Sequence, residues 1–227
     1  MIAFASPSRF GTREAEQGGM SYFPDRGYSS AGAFAADYVG AVAAALNTVD
    51  LNAVTAAGEL LAARVRSGGA IFTCGNGGSA AIANHLVCDC FKGARTGSSI
   101  APRVHGLSSA VELITAIAND IGPEEVFAYQ LESLARPGDV LIAISSSGAS
   151  PNILRALGSA RRSGVASIAM TGFSGGAAAE AADVVLHVPA ENYGVVEDVH
   201  QSLMHILSQY LRMSHFQQPE TLGSVKF

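Results

Sequence analysis

The sequence predicts a doubly wound α/β domain with a mainly parallel, five-stranded sheet, preceded by two helices. Four short apolar runs support this fold, and each leads into a glycine- or serine-rich loop or a helical segment: residues 70–74, 139–145, 166–170 and 183–188. A weaker fifth run spans 99–107. Continuous apolar runs that alternate with helices are typical of parallel strands covered on both faces. With 227 residues, 48% of them apolar, the chain can bury the core of one ordinary domain.

The part of the chain before the first strand is predicted to hold a tail and two helices. Residues 1–28 mix glycine, serine, proline and charge without a period, so we expect a mobile tail, in which Met20 offers an alternative start. Residues 30–47 are rich in alanine and have a helical pattern. Asp50 is placed to cap a second helix, which ends at the glycines 68–69. Both helices have wide apolar faces, which predicts contact with another copy of the chain.

The remaining helices follow the predicted strands in turn. The run 139–145 is followed by "SSGASPN" and a helix, and the run 166–170 by "TGFSGG" and a short alanine-rich helix. A long helix near 194–213 follows the last strand. We therefore expect the folded domain to span 29–214, and residues 215–227 to form a C-terminal tail.

Composition and charge exclude several classes of function. The formal net charge is −5 and no basic run stands out, which argues against a nucleic-acid groove. No apolar stretch reaches the roughly 18 residues of a membrane-spanning helix, and the N-terminus does not resemble a signal peptide. Cys74, Cys88 and Cys90 match neither a disulfide framework nor a CxxC motif. We expect reduced thiols in a cytoplasmic protein without nucleic-acid or membrane partners.

The loop "SSSGAS" (145–150) has the composition of an anion site. Gly148 allows a close turn, and Pro151 suits the first position of the next helix, whose N-terminal amides carry partial positive charge. The loop offers four hydroxyls: Ser145, Ser146, Ser147 and Ser150. Ligands of parallel sheets bind beyond the carboxyl ends of the strands, where this loop falls. The absence of the GxxxxGK[ST] lysine argues against a nucleoside triphosphatase.

A second glycine-rich loop, "GNGGSA" (75–80), falls at the same edge of the sheet. It fits the relaxed dinucleotide fingerprint GxGxxA. This fingerprint requires an acidic residue about 20 positions later to bind the ribose, but the corresponding region, "RTGSSIAPRVHG", contains none. We therefore expect no NAD and no nucleotide cofactor. Serines and glycines also form ordinary turns and caps, but two such loops at one edge favour an anion site.

Acid–base groups occur on the two helices near these loops. His85 and Asp89 are spaced i, i+4 on the helix after the first loop, and Glu197, Gln201 and His205 form a stripe on the last helix. Imidazole and carboxylate are the usual acid–base pair near neutral pH, and they are also zinc ligands. Isolated histidines on apolar elements are more often packed than catalytic, and we interpret His200 and His187 in this way.

Five motifs in this order resemble the sugar isomerase (SIS) domain family: "CGNGGSA" followed by His85 and Asp89, "AIAND" (116–120), "ISSSGAS", "MTG" and "EDVHQSLMH". The sequence is most similar to phosphoheptose isomerases, also called sedoheptulose-7-phosphate isomerases, over about residues 30–213. The resemblance implies a flavodoxin-like fold and the conversion of sedoheptulose 7-phosphate into glycero-manno-heptose 7-phosphate. It also implies a homotetramer with active sites at subunit boundaries.

The resemblance implies roles for individual residues. It places the sugar phosphate at two loops and at an aspartate after "AIAN": Asn76, Gly77, Ser79, Asp120, Ser145, Ser146, Ser147 and Ser150. It assigns catalysis to Asp89 and His205. Some relatives hold zinc with a histidine, a glutamate, a glutamine and a histidine, so it implies a Zn²⁺ or other divalent-metal site at the corresponding positions: His85, Asp89, Glu197 and His205.

Two residues depart from the family pattern. Asp89 is one methylene shorter than the family's glutamate, and Glu197 replaces its glutamine. Both remain potential metal ligands, and non-catalytic relatives lack the histidine at His205, so an enzyme is favoured. Two alternatives stay open. One is a non-catalytic sugar-phosphate sensor or an adaptor like the DnaA initiator-associating protein, and the other is an isomerase of a hexose or amino-sugar phosphate.

Overall fold

A five-stranded, all-parallel sheet in the order β2-β1-β3-β4-β5 forms the centre of the computed structural model, which describes residues 22–224. The strands are β1 (Ala70–Gly75), β2 (Arg103–Gly106), β3 (Val140–Ser145), β4 (Ala166–Thr171) and β5 (Val184–His187). The predicted doubly wound α/β fold is confirmed. The four strong apolar runs form β1, β3, β4 and β5, and the weaker run forms the short strand β2.

Eight α-helices surround the sheet within the described residues: α1 (Ala31–Asn47), α2 (Leu51–Arg66), α3 (Gly78–Cys88), α4 (Val111–Asp120), α5 (Ala128–Leu134), α6 (Pro151–Arg162), α7 (Gly176–Ala181) and α8 (Tyr193–Met213). Helices α1 and α2 are the predicted N-terminal pair. Ser30 Oγ accepts a hydrogen bond from the Ala33 amide, and Asp50 Oδ1 accepts one from the Asn52 amide, so both predicted starts are capped. Helices α4 and α5, between β2 and β3, were not among the predicted elements.

Two apolar cores lie on opposite faces of the sheet, which explains why its strands read as continuous apolar runs. Ile71 and Ile142 pack into the core beneath α2, α3 and α8. Their chain neighbours Phe72 and Leu141 pack into the core beneath α5, α6 and α7. Successive side chains of a strand point to opposite faces, so each residue of β1 and β3 is buried on one side or the other.

Helix α1 is tied to α8 and to the segment before it. The Tyr38 hydroxyl donates a 2.7 Å hydrogen bond to Asp198 Oδ2, and burial together with this carboxylate raises the pKa of Tyr38 to about 12. Phe23, in the segment that the sequence analysis placed in the N-terminal tail, stacks on Phe34 at 5.6 Å. The rest of that predicted tail (1–21, with Met20) and residues 225–227 of the predicted C-terminal tail lie outside the described residues.

The three cysteines are free: Cys74 and Cys90 are buried, and Cys88 is exposed. Burial raises the pKa of the Cys74 and Cys90 thiols to about 12. Within residues 22–224, each helix taken alone falls short of the length and apolar character needed to cross a bilayer. Only α1 and α2 counted together reach that length and composition, and they bend by 71° where they meet.

The strand order fixes where a ligand can bind. The chain runs from β1 to β2 on one side and then crosses to β3 on the other side, so β1 and β3 flank the topological switch point. Their parallel register pairs Gly75 with Ile144, which brings the loops that follow both strands side by side. In sheets of this order the crevice at the switch point is the usual ligand site.

Candidate active site

A cavity of about 140 Å³ lies between the loops after β1 and β3. Its lining is formed by Asn76, Ser79, Ile144, Ser145, Ser146, Ser147, Ser150, Tyr193 and Glu197. We call it the serine pocket. Six of the residues predicted to bind a sugar phosphate line it: Asn76, Ser79, Ser145, Ser146, Ser147 and Ser150. Among the described lining residues, Glu197 alone carries a formal charge.

The serine loop is shaped by one glycine and one helix start. Gly148 has a φ of +62°, and a Cβ at this position would overlap the carbonyl oxygen of Gly175. The Gly148 amide donates a 3.0 Å hydrogen bond to the Ser145 carbonyl, which closes the turn. Helix α6 then begins at Pro151, directly after Ser150, which lines the pocket. The loop therefore offers hydroxyls and a helix N-terminus to an anion.

Ser146 is the most distinctive hydroxyl of the serine pocket. The residue is 5% exposed, and its Oγ has no hydrogen-bond partner within the described part of the chain. A buried hydroxyl without a partner costs free energy, so such groups in folded proteins commonly have a functional reason. A phosphate oxygen in the pocket would accept the hydrogen bond of Ser146.

The other wall of the pocket is the start of α3. Gly77, with a φ of +53°, is the N-cap residue, and Ser79 is buried in the first turn. Asn76 forms two reciprocal 2.9 Å amide hydrogen bonds with Asn152 of α6, so the loops after β1 and β3 are joined directly. The sequence analysis missed Asn152, and only its position two residues after the serine loop could have indicated it.

Glu197 lies apart from the other three predicted metal ligands in the single chain. It lines the serine pocket, and its carboxyl group covers Gly78 so closely that a Cβ at position 78 would lie 2.6 Å from Glu197 Cδ. The three predicted metal ligands that do come together are His85, Asp89 and His205. Eight residues of helix, about 12 Å along the axis, separate Glu197 from His205, and the role of Glu197 as a metal ligand stays a prediction.

His85, Asp89 and His205 form a compact acid–base cluster. His205 Nδ1 lies 3.0 Å from Asp89 Oδ2, and His85 Nε2 lies 3.4 Å from Asp89 Oδ1. The two imidazole rings are perpendicular, with centroids 5.0 Å apart. The side chain of Asp89 is 14% exposed, against 45% for His85 and 38% for His205, so both rings remain open to a ligand. The predicted pairing of Asp89 with His205 is present in the structure.

Gln201 closes the cluster on the side away from Asp89. Its Nε2 lies 2.9 Å from His85 Nδ1 and 3.0 Å from His205 Nε2. With the amide in this orientation it donates to both nitrogens, so the opposite ring nitrogens carry the protons that face Asp89. The sequence analysis named Gln201 only as part of the α8 stripe. Ser208 Oγ, 3.4 Å from Asp89 Oδ2, is a further polar neighbour that it missed.

Asp89 lies at a change of helix type, not within a regular helix as the sequence analysis assumed. Helix α3 ends at Cys88 and continues as one π-helical turn, Asp89–Gly93. The Ala94 amide donates a 2.8 Å hydrogen bond to the Asp89 carbonyl, five residues earlier. Isolated π-helical turns are rare and frequently occur at functional sites. Here the turn begins at the residue whose carboxylate reaches α8.

Three other polar residues named from the sequence lie elsewhere. Asp120 ends α4, is exposed, accepts a 2.7 Å hydrogen bond from Asn119 Nδ2, and does not line the serine pocket. His200 is fully buried, and burial lowers its pKa to about 4. His187 Nδ1 lies 3.1 Å from Thr171 Oγ1. These surroundings agree with the interpretation of His200 and His187 as packed residues.

The serine pocket and the acid–base cluster both contain residues of α3 and α8. Ser79 lines the pocket and His85 belongs to the cluster, six residues or about 9 Å further along α3. On α8, Glu197 lines the pocket, Gln201 follows one turn later and His205 two turns later. A substrate whose anionic and reacting ends are separated by a short carbon chain fits this arrangement.

Comparison with known proteins agrees with this geometry. The family model described as SIS domain matches residues 36–172. The chain is 42% identical over 170 residues to a phosphoheptose isomerase of Mycobacterium tuberculosis (strain ATCC 25177 / H37Ra), which covers 73% of this chain and 84% of the relative. It is 36% identical over 165 residues to a phosphoheptose isomerase of Roseiflexus sp. (strain RS-1), with 73% and 83% covered.

Solved structures show the same similarity in three dimensions. A phosphoheptose isomerase from Neisseria gonorrhoeae matches with a TM-score of 0.71 and 32% identity over 79% of this chain and 95% of that one. A phosphoheptose isomerase from Francisella tularensis matches with a TM-score of 0.73 and 29% identity over the same shares. The chain therefore belongs to the SIS domain family and groups with its phosphoheptose isomerases.

Proposed function

We propose that this protein is a sugar-phosphate isomerase that interconverts sedoheptulose 7-phosphate and glycero-manno-heptose 7-phosphate through an enediol. The observation that carries the proposal is the meeting of Asp89 and His205. These residues are 116 positions apart in the chain, and their side chains lie 3.0 Å apart beside a serine-lined pocket. A protein that only binds sugar phosphates needs the pocket but not the pair.

The serine pocket would hold the phosphate group. Ser146 and the neighbouring hydroxyls donate to its oxygens, and the N-termini of α3 and α6 contribute partial positive charge. The phosphate is remote from the reacting carbons. Its binding free energy therefore serves to position C1 and C2 of the sugar against the acid–base cluster.

His205 is the better placed of the pair to act as the base, because its side chain is more exposed than that of Asp89. It removes a proton from C1 of the ketose and returns it to C2, while a proton moves from the C1 hydroxyl to the C2 oxygen. These transfers break one C–H bond and form another, so the reaction needs no external oxidant. Asp89 accepts the hydrogen bond of Nδ1–H and stabilises the imidazolium while the proton is on the ring.

The cluster also has the donors of a divalent-metal site, and we assign Zn²⁺ as the first candidate. One ligand atom from each of His85, Asp89 and His205 lies within 4.8 Å of the others, and two imidazoles with a carboxylate are a common zinc set. Gln201 hydrogen-bonds the outer nitrogens of both imidazoles and would orient the two rings towards a bound metal. A bound metal would supply Lewis-acid polarisation of the sugar's carbonyl oxygen.

The assembly and location follow from the resemblance and from the surface. We propose a cytoplasmic homotetramer that binds a small sugar phosphate. Large apolar side chains on α1, α2 and α8 are exposed in the single chain and support association: Val39, Leu51, Ile206 and Met213. Asp120, which does not line the pocket of its own chain, remains a predicted substrate residue that a neighbouring copy would bring to the site.

A direct assay tests the proposed reaction. Purified protein, with its metal content measured and Zn²⁺ supplied, is incubated with sedoheptulose 7-phosphate and with hexose and amino-sugar ketose phosphates, and aldose formation is followed by NMR. We expect turnover of the heptose phosphate by the wild type and none by His205→Ala, which should still bind phosphate. His215→Gln, beyond the end of α8, is the matched control and should keep full activity.

Two results would decide against the proposal. Sugar-phosphate binding by metal-loaded wild type without any aldose product would favour a sensor or adaptor. Faster conversion of a hexose or amino-sugar phosphate than of the heptose phosphate would reassign the substrate while retaining the chemistry.

A further inference from the structure

We propose that Asn152 is a positioning residue of the site, which orients the side-chain amide of Asn76 towards the substrate. The inference rests on the sugar-phosphate binding proposed above, in which Asn76 contacts the ligand. Asn152 is not among the described residues that line the serine pocket, so it acts on the ligand through a neighbour. Asn76 lines the pocket, and Asn152 contacts it directly.

The orientation of the Asn152 amide is set by the start of α6. Asn152 is the second residue of this helix, and its Oδ1 accepts a 3.0 Å hydrogen bond from the Ile153 backbone amide. A backbone amide only donates, so the oxygen of Asn152 must face Ile153, and the position of its nitrogen follows. The main chain of α6 therefore fixes the side chain of Asn152.

Asn152 passes this orientation on to Asn76. Asn76 Nδ2 donates a 2.9 Å hydrogen bond to Asn152 Oδ1, and Asn152 Nδ2 donates one of the same length to Asn76 Oδ1. If the Asn76 amide turned over, oxygen would face oxygen and nitrogen would face nitrogen, and both hydrogen bonds would be lost. Asn76 therefore has one preferred orientation, although it lies in an exposed position after β1.

The paired amide of Asn76 keeps hydrogen-bonding capacity for a ligand. Its nitrogen carries two hydrogens and its oxygen accepts two hydrogen bonds, and Asn152 uses one of each. The remaining hydrogen suits a phosphate oxygen, and the remaining acceptor position suits a hydroxyl of the sugar. Because the amide is already oriented, binding need not restrict its rotation, which lowers the entropic cost of association.

A double-mutant cycle with Asn76 tests the inference. The value of kcat/KM for sedoheptulose 7-phosphate is measured for the wild type, Asn152→Ala, Asn76→Ala and the double variant. We expect Asn152→Ala to lower kcat/KM roughly three- to tenfold, the range expected for an ordinary hydrogen bond. The same substitution should have no further effect in the Asn76→Ala background, because Asn152 then has no amide to orient.

Asn52→Ala is the matched control. Asn52 occupies the same second position in α2 and does not line the serine pocket, so this variant removes the same amide from the same part of a helix. Its kcat/KM should equal that of the wild type. Denaturant unfolding is measured for both single variants, and a loss of activity that follows a lower unfolding midpoint in Asn152→Ala would count against the inference.

Three results of the cycle would overturn the inference. An unchanged kcat/KM in Asn152→Ala would show that Asn76 needs no partner. An equal loss in the wild-type and Asn76→Ala backgrounds would show that Asn152 acts on its own, through the start of α6. Full activity of Asn76→Ala would leave Asn152 without a substrate residue to position.

The wild-type protein separates this inference from the proposed function. If it converts the heptose phosphate and the cycle is additive, only the role of Asn152 is wrong. If it binds the heptose phosphate without converting it, the proposed function is wrong, and the same cycle of affinities, measured by calorimetry, decides the role of Asn152. If it does not bind the heptose phosphate, both are wrong.

Discussion

His205 Nδ1 and Asp89 Oδ2 lie 3.0 Å apart, although the two residues are 116 positions apart in the chain. The contact requires α8 to pack beside the end of α3, and it requires the π-helical turn at Asp89. Gln201 holds the other nitrogen of the ring at 3.0 Å. The imidazole is therefore fixed on both sides, in the tautomer that leaves Nε2 without a proton.

Replacing Asp89 with Asn should test this arrangement most directly. The amide cannot accept the Nδ1–H bond in the same way or balance an imidazolium, so we expect kcat to fall by about 10³- to 10⁴-fold. Phosphate binding, measured by calorimetry, should be unchanged because Asp89 does not line the serine pocket. A variant that keeps more than a tenth of the wild-type kcat would contradict the assigned role.

Gln201→Leu should change the cluster without removing an ionisable group. The amide contacts both imidazoles, so its loss should lower kcat about 10- to 100-fold and shift the pH–rate profile. Zinc affinity, measured by competition with a chelator, should weaken as well. Ser202→Ala on the next position of α8, whose Oγ donates a hydrogen bond to the Asp198 carbonyl, is the control. An unchanged pH profile in Gln201→Leu would exclude a positioning role.

Ser146→Ala should separate ligand binding from folding. A hydrogen bond to a charged group contributes about 1.5–3 kcal/mol, so phosphate affinity should fall roughly 10- to 100-fold. The free energy of unfolding should stay equal or rise, because the Oγ of Ser146 has no partner within the described part of the chain. Titration and denaturant unfolding measure the two quantities. A clear loss of stability would show that the hydroxyl has a structural partner.

Gly148→Ala should destabilise the serine loop. Alanine is strained at a φ of +62°, and its Cβ would overlap the carbonyl of Gly175, so we expect a loss of about 1–3 kcal/mol in unfolding free energy. Gly158→Ala is the opposite case. Gly158 lies inside α6, and the Cβ of an alanine there would have Arg162 Nη1 as its nearest neighbour, at 3.5 Å. That control should gain roughly 0.5–1 kcal/mol. Chemical denaturation of both variants measures the difference.

Acid should destabilise the protein partly through His200. Burial lowers its pKa to about 4 in the folded protein, below its ordinary value near 6.5. The neutral ring therefore contributes stability that is complete above about pH 6.5 and is lost as the pH falls towards 4, by up to about 3 kcal/mol. Unfolding measured between pH 4 and 7 should depend less on pH in His200→Leu than in His215→Gln. Equal slopes in the two variants would contradict this origin.

The sequence predicted the sheet well because strands buried on both faces appear in it as continuous apolar runs. The runs that form β1 and β3 are apolar at nearly every position, since the sheet is covered on both faces. The two loops at its edge could be identified for the same reason, because a parallel sheet brings all its carboxyl ends together. Helices α4 and α5 were missed, although residues 111–118 of the region between β2 and β3 read VELITAIA, an apolar helical pattern.

The sequence identified most residues of the site, but it did not show which of them contact one another. Helical spacing placed Glu197, Gln201 and His205 on one stripe, but spacing alone does not tell which neighbour each side chain meets. Gly78 lies opposite the start of α8, and His85 and Asp89 lie opposite its middle. Glu197 therefore lines the serine pocket, whereas Gln201 contacts the cluster. The π-helical turn depends on tertiary packing and has no sequence signature that we could use.

Helix α8 is one uninterrupted rod from Tyr193 to Met213, and it carries parts of both ends of the site. Tyr193 and Glu197 belong to the serine pocket, whereas His205 belongs to the cluster two turns after Glu197. A regular helix of this length neither stretches nor shortens, so the span from phosphate grip to base is constant. The length of a bound sugar phosphate, compared with the roughly 12 Å between Glu197 and His205 along α8, should therefore decide whether its reacting carbons reach His205.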